Sequence, residues 1–288
     1  MEGILCIDKP AGPSSMAAIA RVKKTLGSAK VGHSGTLDPH ATGLLIVALG
    51  NATRVLPYLE LEPKRYEFTL VFGTATDTLD AAGAVFEKGL RIPSQSEIVE
   101  ALAVFRGSIR QVPPRFSALK VKGTRAYKLA KQGRDFSPPP RTVTIHSLTL
   151  QTYDEAVGRG VFSVSCSSGT YVRSLARDIA EKCGTAGHAG SIRRTSMGPF
   201  NVDAAVSCNA ERGDLESHML PLYQVLAEQP AHIASREELM QLAHGRDIEV
   251  SDMPAPFLFV FTESRELAAV AQRVGDTTFH PSKVFARI

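Results

Sequence analysis

No stretch of this chain stays apolar for long: the longest unbroken run, Leu44 to Leu49, falls far short of the roughly 20 residues that cross a bilayer. Asp8 interrupts the N-terminal apolar stretch too early for a secretory signal, so the cytoplasm is the expected location. Cysteine is sparse. Cys6, Cys166, Cys183 and Cys208 show no CxxC spacing and no histidines at ligand intervals, which argues against a zinc site and against a disulfide framework. Reduced, buried thiols are expected instead. Net charge is small as well, +4 with a pI near 8.9, a lean towards an anionic partner that does not identify one. Neither an internal repeat at solenoid periods nor a low-complexity tract is present.

What is present is an ordinary globular composition, 43% apolar over 288 residues, enough for one large domain with an appendage. Gly3 to Asp8 reads as a short strand that the Lys9-Pro10-Ala11-Gly12-Pro13 cluster must end, because two prolines fix φ and remove donors. Ser14 or Ser15 can cap a helix running to Leu26, with Gly27 as its left-handed stop. Lys30 to Gly43, rich in glycine and small polar residues, reads as a loop feeding the buried strand Leu44 to Leu49. Further strands are expected at Arg65 to Phe72, Ala84 to Glu87, Thr142 to Thr152 and Gly160 to Cys166. Helices are expected after Ser94 or Ser96 and from about Ser174 to Cys183, with Thr74 to Gly83 and Ser167 to Arg173 as connections. Strands and helices alternating without a regular βαβ repeat point to an α+β fold around a mixed or antiparallel sheet. After about residue 229, prolines at 230, 254 and 256 separate short apolar runs, and a small β-rich C-terminal domain over 230–288 is expected.

Positive charge is concentrated in residues 115–141, where eight basic residues face the single acid Asp135 and give a net +7. Phe116, Tyr127 and Phe136 interleave with the cations, and a proline hinge follows at Pro138 to Pro140. A charge run is most often a solvated face; the sharper reading is a flap that grips nucleic acid. Asp38, before Pro39 in a loop that spends Gly32, Gly35 and Gly43, is on local grounds a turn residue. The same glycines let the loop approach a ligand closely, and a carboxylate can act there as nucleophile or base without a metal. Arg173 reads as a solvated arginine or as the partner of a buried carboxylate, and Tyr66 as strand packing or as a platform for a flipped base. Asp77 and Asp80 invite a metal-dependent hydrolase, yet lack the glycine and distal glutamate of a calcium loop.

Taken in order, these segments resemble the TruB-type pseudouridine synthases, related to the dyskerin group. Gly3 to Ser15 resembles that family's opening motif and Val31 to Pro39 its catalytic loop. Lys64-Arg65-Tyr66, Thr76 to Asp80, Ser117 to Gly123, Gly169 to Arg173 and Ile192 to Thr195 follow in the family's order. The resemblance implies that Asp38 is the nucleophile in isomerising a uridine, that Tyr66 stacks on the target base, and that Arg173 pairs with Asp38. It places Tyr171 and Ile192 around the uracil and His33 in the space left by flipped nucleotides. The basic segment would clasp RNA, with Lys120, Lys122 and Lys128 as contacts, and 230–288 would be a PUA-like RNA-binding domain appended to a catalytic domain over 1–229. The implied partner is the T-stem-loop of tRNA, bound by a monomer with no metal and no organic cofactor. The alternative from another class is a tRNA-folding chaperone with incidental catalysis.

Overall fold

A computed structural model describes residues 2–121 and 123–285; Lys122 therefore lies outside the described residues. Ten strands form one mixed sheet. Its main path runs Val206–Ser207, Gly3–Lys9, Thr42–Leu49, Gly187–Met197, Lys64–Phe72, Arg159–Cys166, Arg141–Asp154, Gly107–Gln111. Two pairings are parallel, Gly3–Lys9 with Val206–Ser207 and Thr42–Leu49 with Gly187–Met197, so the expected mixed sheet is realised.

Strand periodicity assigns the cores. Ile4 and Cys6 face one side with Leu44, Ile46 and Ala48, while Leu5 and Ile7 face the other with Leu45, Val47 and Leu49. The helix Ser15–Leu26 covers the second face through Ala18, Ile19, Val22 and Leu26. Ser14 caps it by accepting from the backbone N–H of Ala17, and Gly27 ends it at φ 65°. Further along the sheet, the helices Gln95–Leu102 and Val172–Lys182 bury Ile98, Leu102, Leu175 and Ile179 against Phe68, Leu70 and Phe162. The first of these carries a capping box between Ser94 and Glu97.

Four local expectations change. The segment read as a loop over 30–43 contains the strand Val31–Ser34, paired antiparallel with Thr42–Leu49, so the true loop is only 35–41. Thr74–Thr76, at the start of the stretch taken as a polar connection, is itself a strand and pairs as a small hairpin with Val85–Lys88, the strand expected near Ala84 to Glu87. The helix after the 167–171 loop begins at Val172, which places Arg173 in its first turn. Gly187–Met197, unread as a strand because its glycines and arginines mask the alternation, runs between Thr42–Leu49 and Lys64–Phe72.

Beyond Pro230 a five-stranded sheet has the order Ala231–Ile233, Phe257–Phe261, Leu267–Arg273, Thr278–Val284, Ile248–Glu249. Phe259, Phe261, Leu267 and Val270 share one apolar cluster with Ile4, Leu44 and Ile46, so this sheet packs directly on the larger one. Arg54 reinforces the join by donating to the Val284 carbonyl at 2.7 Å, with its guanidinium 4.5 Å from the Phe285 ring centre.

Candidate active site

A cleft of about 370 Å³ opens where the 35–41 loop, the strands Lys64–Phe72 and Gly187–Met197 and the helix Val172–Lys182 meet. Asp38, Tyr66, Tyr171, Arg173 and Ile192 all line it, although they come from four separate regions of the chain. His33 does not line the cleft; it lies on the strand leading into the loop, where burial and the charge of Arg194 both lower its pKa.

The loop is pinned at several points. Asp38 opens a turn, its carbonyl accepting from the Ala41 N–H at 3.1 Å, so the turn reading and the cleft position hold together. Ser15 grips the preceding residue from both sides, accepting from the Leu37 N–H at 2.8 Å and donating to the Leu37 carbonyl at 3.0 Å. Lys9 is fully buried without a carboxylate partner within 4.0 Å among the described residues. Its ammonium donates to the carbonyls of Pro10, Pro13 and Pro39, and burial lowers its pKa. The first proline turn is thereby tied to the turn that carries Asp38.

Arg173 Nη2 lies 2.9 Å from Asp38 Oδ2, and Nη1 lies 3.2 Å from Asp80 Oδ2. The guanidinium also donates to the carbonyls of Thr78 and Phe116, at 2.8 and 2.9 Å. Arg173 and Asp80 are each about 4% exposed at the side chain, whereas Asp38 is 38% exposed, so the pair has one dry end and one wet end. Asp80 is itself held by Thr78 Oγ1 at 2.7 Å and by the Ala82 N–H at 2.9 Å. Asp77 instead accepts from the Ala84 N–H, so the two acids suspected of forming a metal pair perform different structural tasks. Among the described residues no three His, Cys, Asp or Glu side chains converge as a metal-binding group.

The far wall is built by residues that sequence reasoning passed over. Arg194, 1% exposed, donates to the carbonyls of Leu44 at 2.8 Å and Gly35 at 2.6 Å, and reaches the Tyr66 hydroxyl at 3.5 Å. Burial raises the Tyr66 pKa, with Arg194 opposing, so the phenol stays protonated near neutral pH. Gln111, fully buried, clamps the Tyr171 backbone through both its amide atoms, at 2.8 and 3.2 Å. A signal for Arg194 existed: two residues beyond Ile192 on one strand, it must share that residue's face. Arg193, on the opposite face, makes a two-pronged pair with Asp8 at 3.0 and 2.8 Å.

Arranged this way, the cleft offers a half-exposed carboxylate fixed by a buried cation, an aromatic floor and a protonated phenol. These suffice for nucleophilic or proton-transfer chemistry on a planar ring.

Residues 23–172 match the model of the TruB family pseudouridylate synthases, N-terminal domain. The chain is 43% identical over 259 residues to tRNA pseudouridine synthase B of Gluconacetobacter diazotrophicus, covering 88% of this chain and 84% of that one. It is 38% identical over 295 residues to the protein of the same name from Ruegeria pomeroyi, covering 100% and 96%. Among solved structures, a chain of a Cbf5–Nop10–Gar1 complex superposes with a TM-score of 0.72 at 23% identity, over 99% of this chain and 85% of that one, a likeness of fold. With a family match over more than half its length and such identity along nearly all of it, this chain belongs to the TruB family of pseudouridylate synthases and is an isomerase.

Proposed function

We propose that this protein converts a uridine of tRNA to pseudouridine, at position 55 in the T-loop, with Asp38 as nucleophile. The relatives named tRNA pseudouridine synthase B support tRNA as the substrate. The observation that carries the role of Asp38 is its pairing: Oδ2 is held by the buried Arg173, which keeps the carboxylate oriented into the cleft. In the reaction the N1–C1′ bond of uridine breaks and the detached base turns. A C5–C1′ bond then forms, the C5 proton is lost and N1 gains one, so product and substrate are isomers. Asp38 assists the first step, Tyr66 stacks on the base and presents a protonated hydroxyl, and Tyr171 and Ile192 shape the pocket.

Around this centre, the basic segment 115–141 acts as an RNA clasp. Lys120 stands on a short strand paired with Thr124–Arg125, and Lys128 on the helix Ala126–Lys131; both join Lys122 as proposed RNA contacts. The segment is anchored to the cleft, since Phe116 accepts from Arg173 and the Ser117 carbonyl accepts from the Tyr127 N–H. His33 takes the space vacated by extruded nucleotides, and 230–288 serves as a PUA-like RNA-binding domain. The enzyme acts as a monomer without metal or organic cofactor, in the cytoplasm.

The test is incubation of purified protein with an unmodified tRNA transcript. Product should form with the unaltered chain and fall to background in Asp38→Ala, while tRNA affinity changes by no more than a few fold because phosphate contacts dominate it. Turnover persisting in Asp38→Ala removes the nucleophile assignment. An unaltered chain that binds and refolds tRNA without forming pseudouridine favours the chaperone reading.

A further inference from the structure

The cleft carries more positive charge than its own acid neutralises. Lys64, Arg141, Arg173 and Arg194 line it, against the single carboxylate of Asp38. Two of these cations are engaged: Arg173 by Asp38, Asp80 and two carbonyls, and Arg194 by two carbonyls and the Tyr66 hydroxyl. Lys64 and Arg141 are not. Among the described residues, neither side chain reaches a hydrogen-bond acceptor or comes within 4.0 Å of a carboxylate. Glu62, the acid that acts on Lys64 through space, is occupied with the Ser168 N–H at 2.9 Å.

Both cations are nevertheless held in place. The Arg141 guanidinium lies 5.5 Å from the Tyr171 ring centre, and its Nη1 rests over Gly169, where an added Cβ would approach to 3.1 Å. Lys64 is half-buried, and that burial lowers its pKa. Lys64 opposes Cys166 across the sheet, and Thr144, three residues beyond Arg141, donates its N–H to Ser167. The two cations therefore stand at the same end of the sheet, flanking the 167–171 loop that leads to Tyr171 and Arg173. Fixed cations without a counter-ion in a partly dehydrated wall are unfavourable until an anion arrives.

We propose that Lys64 and Arg141 form the phosphate subsite of this cleft, taking the phosphodiesters on either side of the nucleotide whose base lies against Tyr66. The proposal rests on the RNA reading above. The base is neutral, so the anionic complement of two spare cations is the backbone that carries it. Arg141 presents a planar fork suited to two phosphate oxygens, and Lys64 a point charge. Together they anchor the sugar so that C1′ faces Asp38.

A T-stem-loop RNA with a neutral methylphosphonate at one linkage flanking the target uridine, 5′ or 3′, tests this against the natural RNA. The unaltered protein should bind each of the two modified RNAs about tenfold more weakly, the size of one lost charge-assisted contact. Arg141→Ala and Lys64→Met should each lose about tenfold on natural RNA, yet lose nothing more when the methylphosphonate replaces the linkage that residue holds. Each variant should also lower the salt slope of binding by about one. Arg141→Lys and Lys64→Arg, which keep the charge, should recover most of the affinity, and unchanged thermal unfolding separates contact loss from misfolding. Losses that simply add on both modified RNAs overturn the subsite. Pseudouridine formation by the unaltered protein on natural RNA is read in the same series; its absence overturns the proposed reaction, whereas product with additive losses overturns the subsite alone.

Discussion

Arg173 points its guanidinium at two carboxylates and two carbonyls, and the more deeply buried carboxylate is that of Asp80, which does not line the cleft. Removing one partner of a buried pair leaves the other charge short of compensation. Asp80→Asn should therefore destabilise the fold by about 2 kcal/mol, less than a fully broken pair because Asp38 and both carbonyls remain. It should also lower kcat by tenfold or more with little change in tRNA affinity, because Arg173 then orients Asp38 less firmly. Urea unfolding and single-turnover kinetics check the two effects, and an unaltered kcat would detach Asp80 from the site. At this scale the residues point to Asp38, Tyr66 and Arg173 and the family resemblance adds Tyr171, Ile192 and His33; the structure sets the first five around one cleft and leaves His33 outside its lining. Lys9, Ser15 and Gln111 escape a sequence reading because their task is to satisfy carbonyls and amides of distant segments. Nothing local marks such a partner.

Among the elements, the pairing of Thr42–Leu49 with Gly187–Met197 has the tightest requirement. Gly43 sits at φ 99°, and a Cβ there would collide with the Arg194 backbone on the parallel neighbour. Gly43→Ala should cost more than about 2 kcal/mol, since it combines a left-handed backbone with a steric clash that neither strand can relieve alone. A urea midpoint equal to that of the unaltered protein would refute this. Because the same strand supplies Ile192 and Arg194, activity should fall along with stability. The helix Ser15–Leu26 was legible to within a residue, its cap left between Ser14 and Ser15, since cap, stop and apolar stripe are all local signals. Gly187–Met197 was not legible: much of its burial comes from partners more than a hundred residues away, Lys64–Phe72 and Thr42–Leu49.

Across the whole molecule, the buried thiols predict how stability depends on alkali. Burial pushes Cys6 and Cys166 from 9.0 up to about 11. The folded state then keeps these protons at a pH where the unfolded chain releases them, so their contribution is full below pH 9 and is lost between about 9 and 11. Each thiol should account for on the order of 2 kcal/mol. Lys9 and Lys64, lowered by burial, act in the opposite direction, so the thiol part is read as a difference from Cys6→Ala and Cys166→Ala. Denaturant titrations from pH 8 to 11 measure it, and parallel curves for variant and unaltered protein would show that the thiols titrate freely.

The sequence by itself determined the α+β class, the capped helices, the alternating strands and the concentration of positive charge in 115–141, because propensity, capping and periodicity act within a few residues. Its ordered motifs also named the family that the comparisons then established. Only the tertiary structure decided that Asp80 stands behind Arg173, that Arg194 braces Tyr66, and that Lys64 and Arg141 face the cleft without an ion-pair partner among the described residues. Each of those facts depends on which distant side chains meet once the strands are in register, and a linear pattern carries no distance between strands.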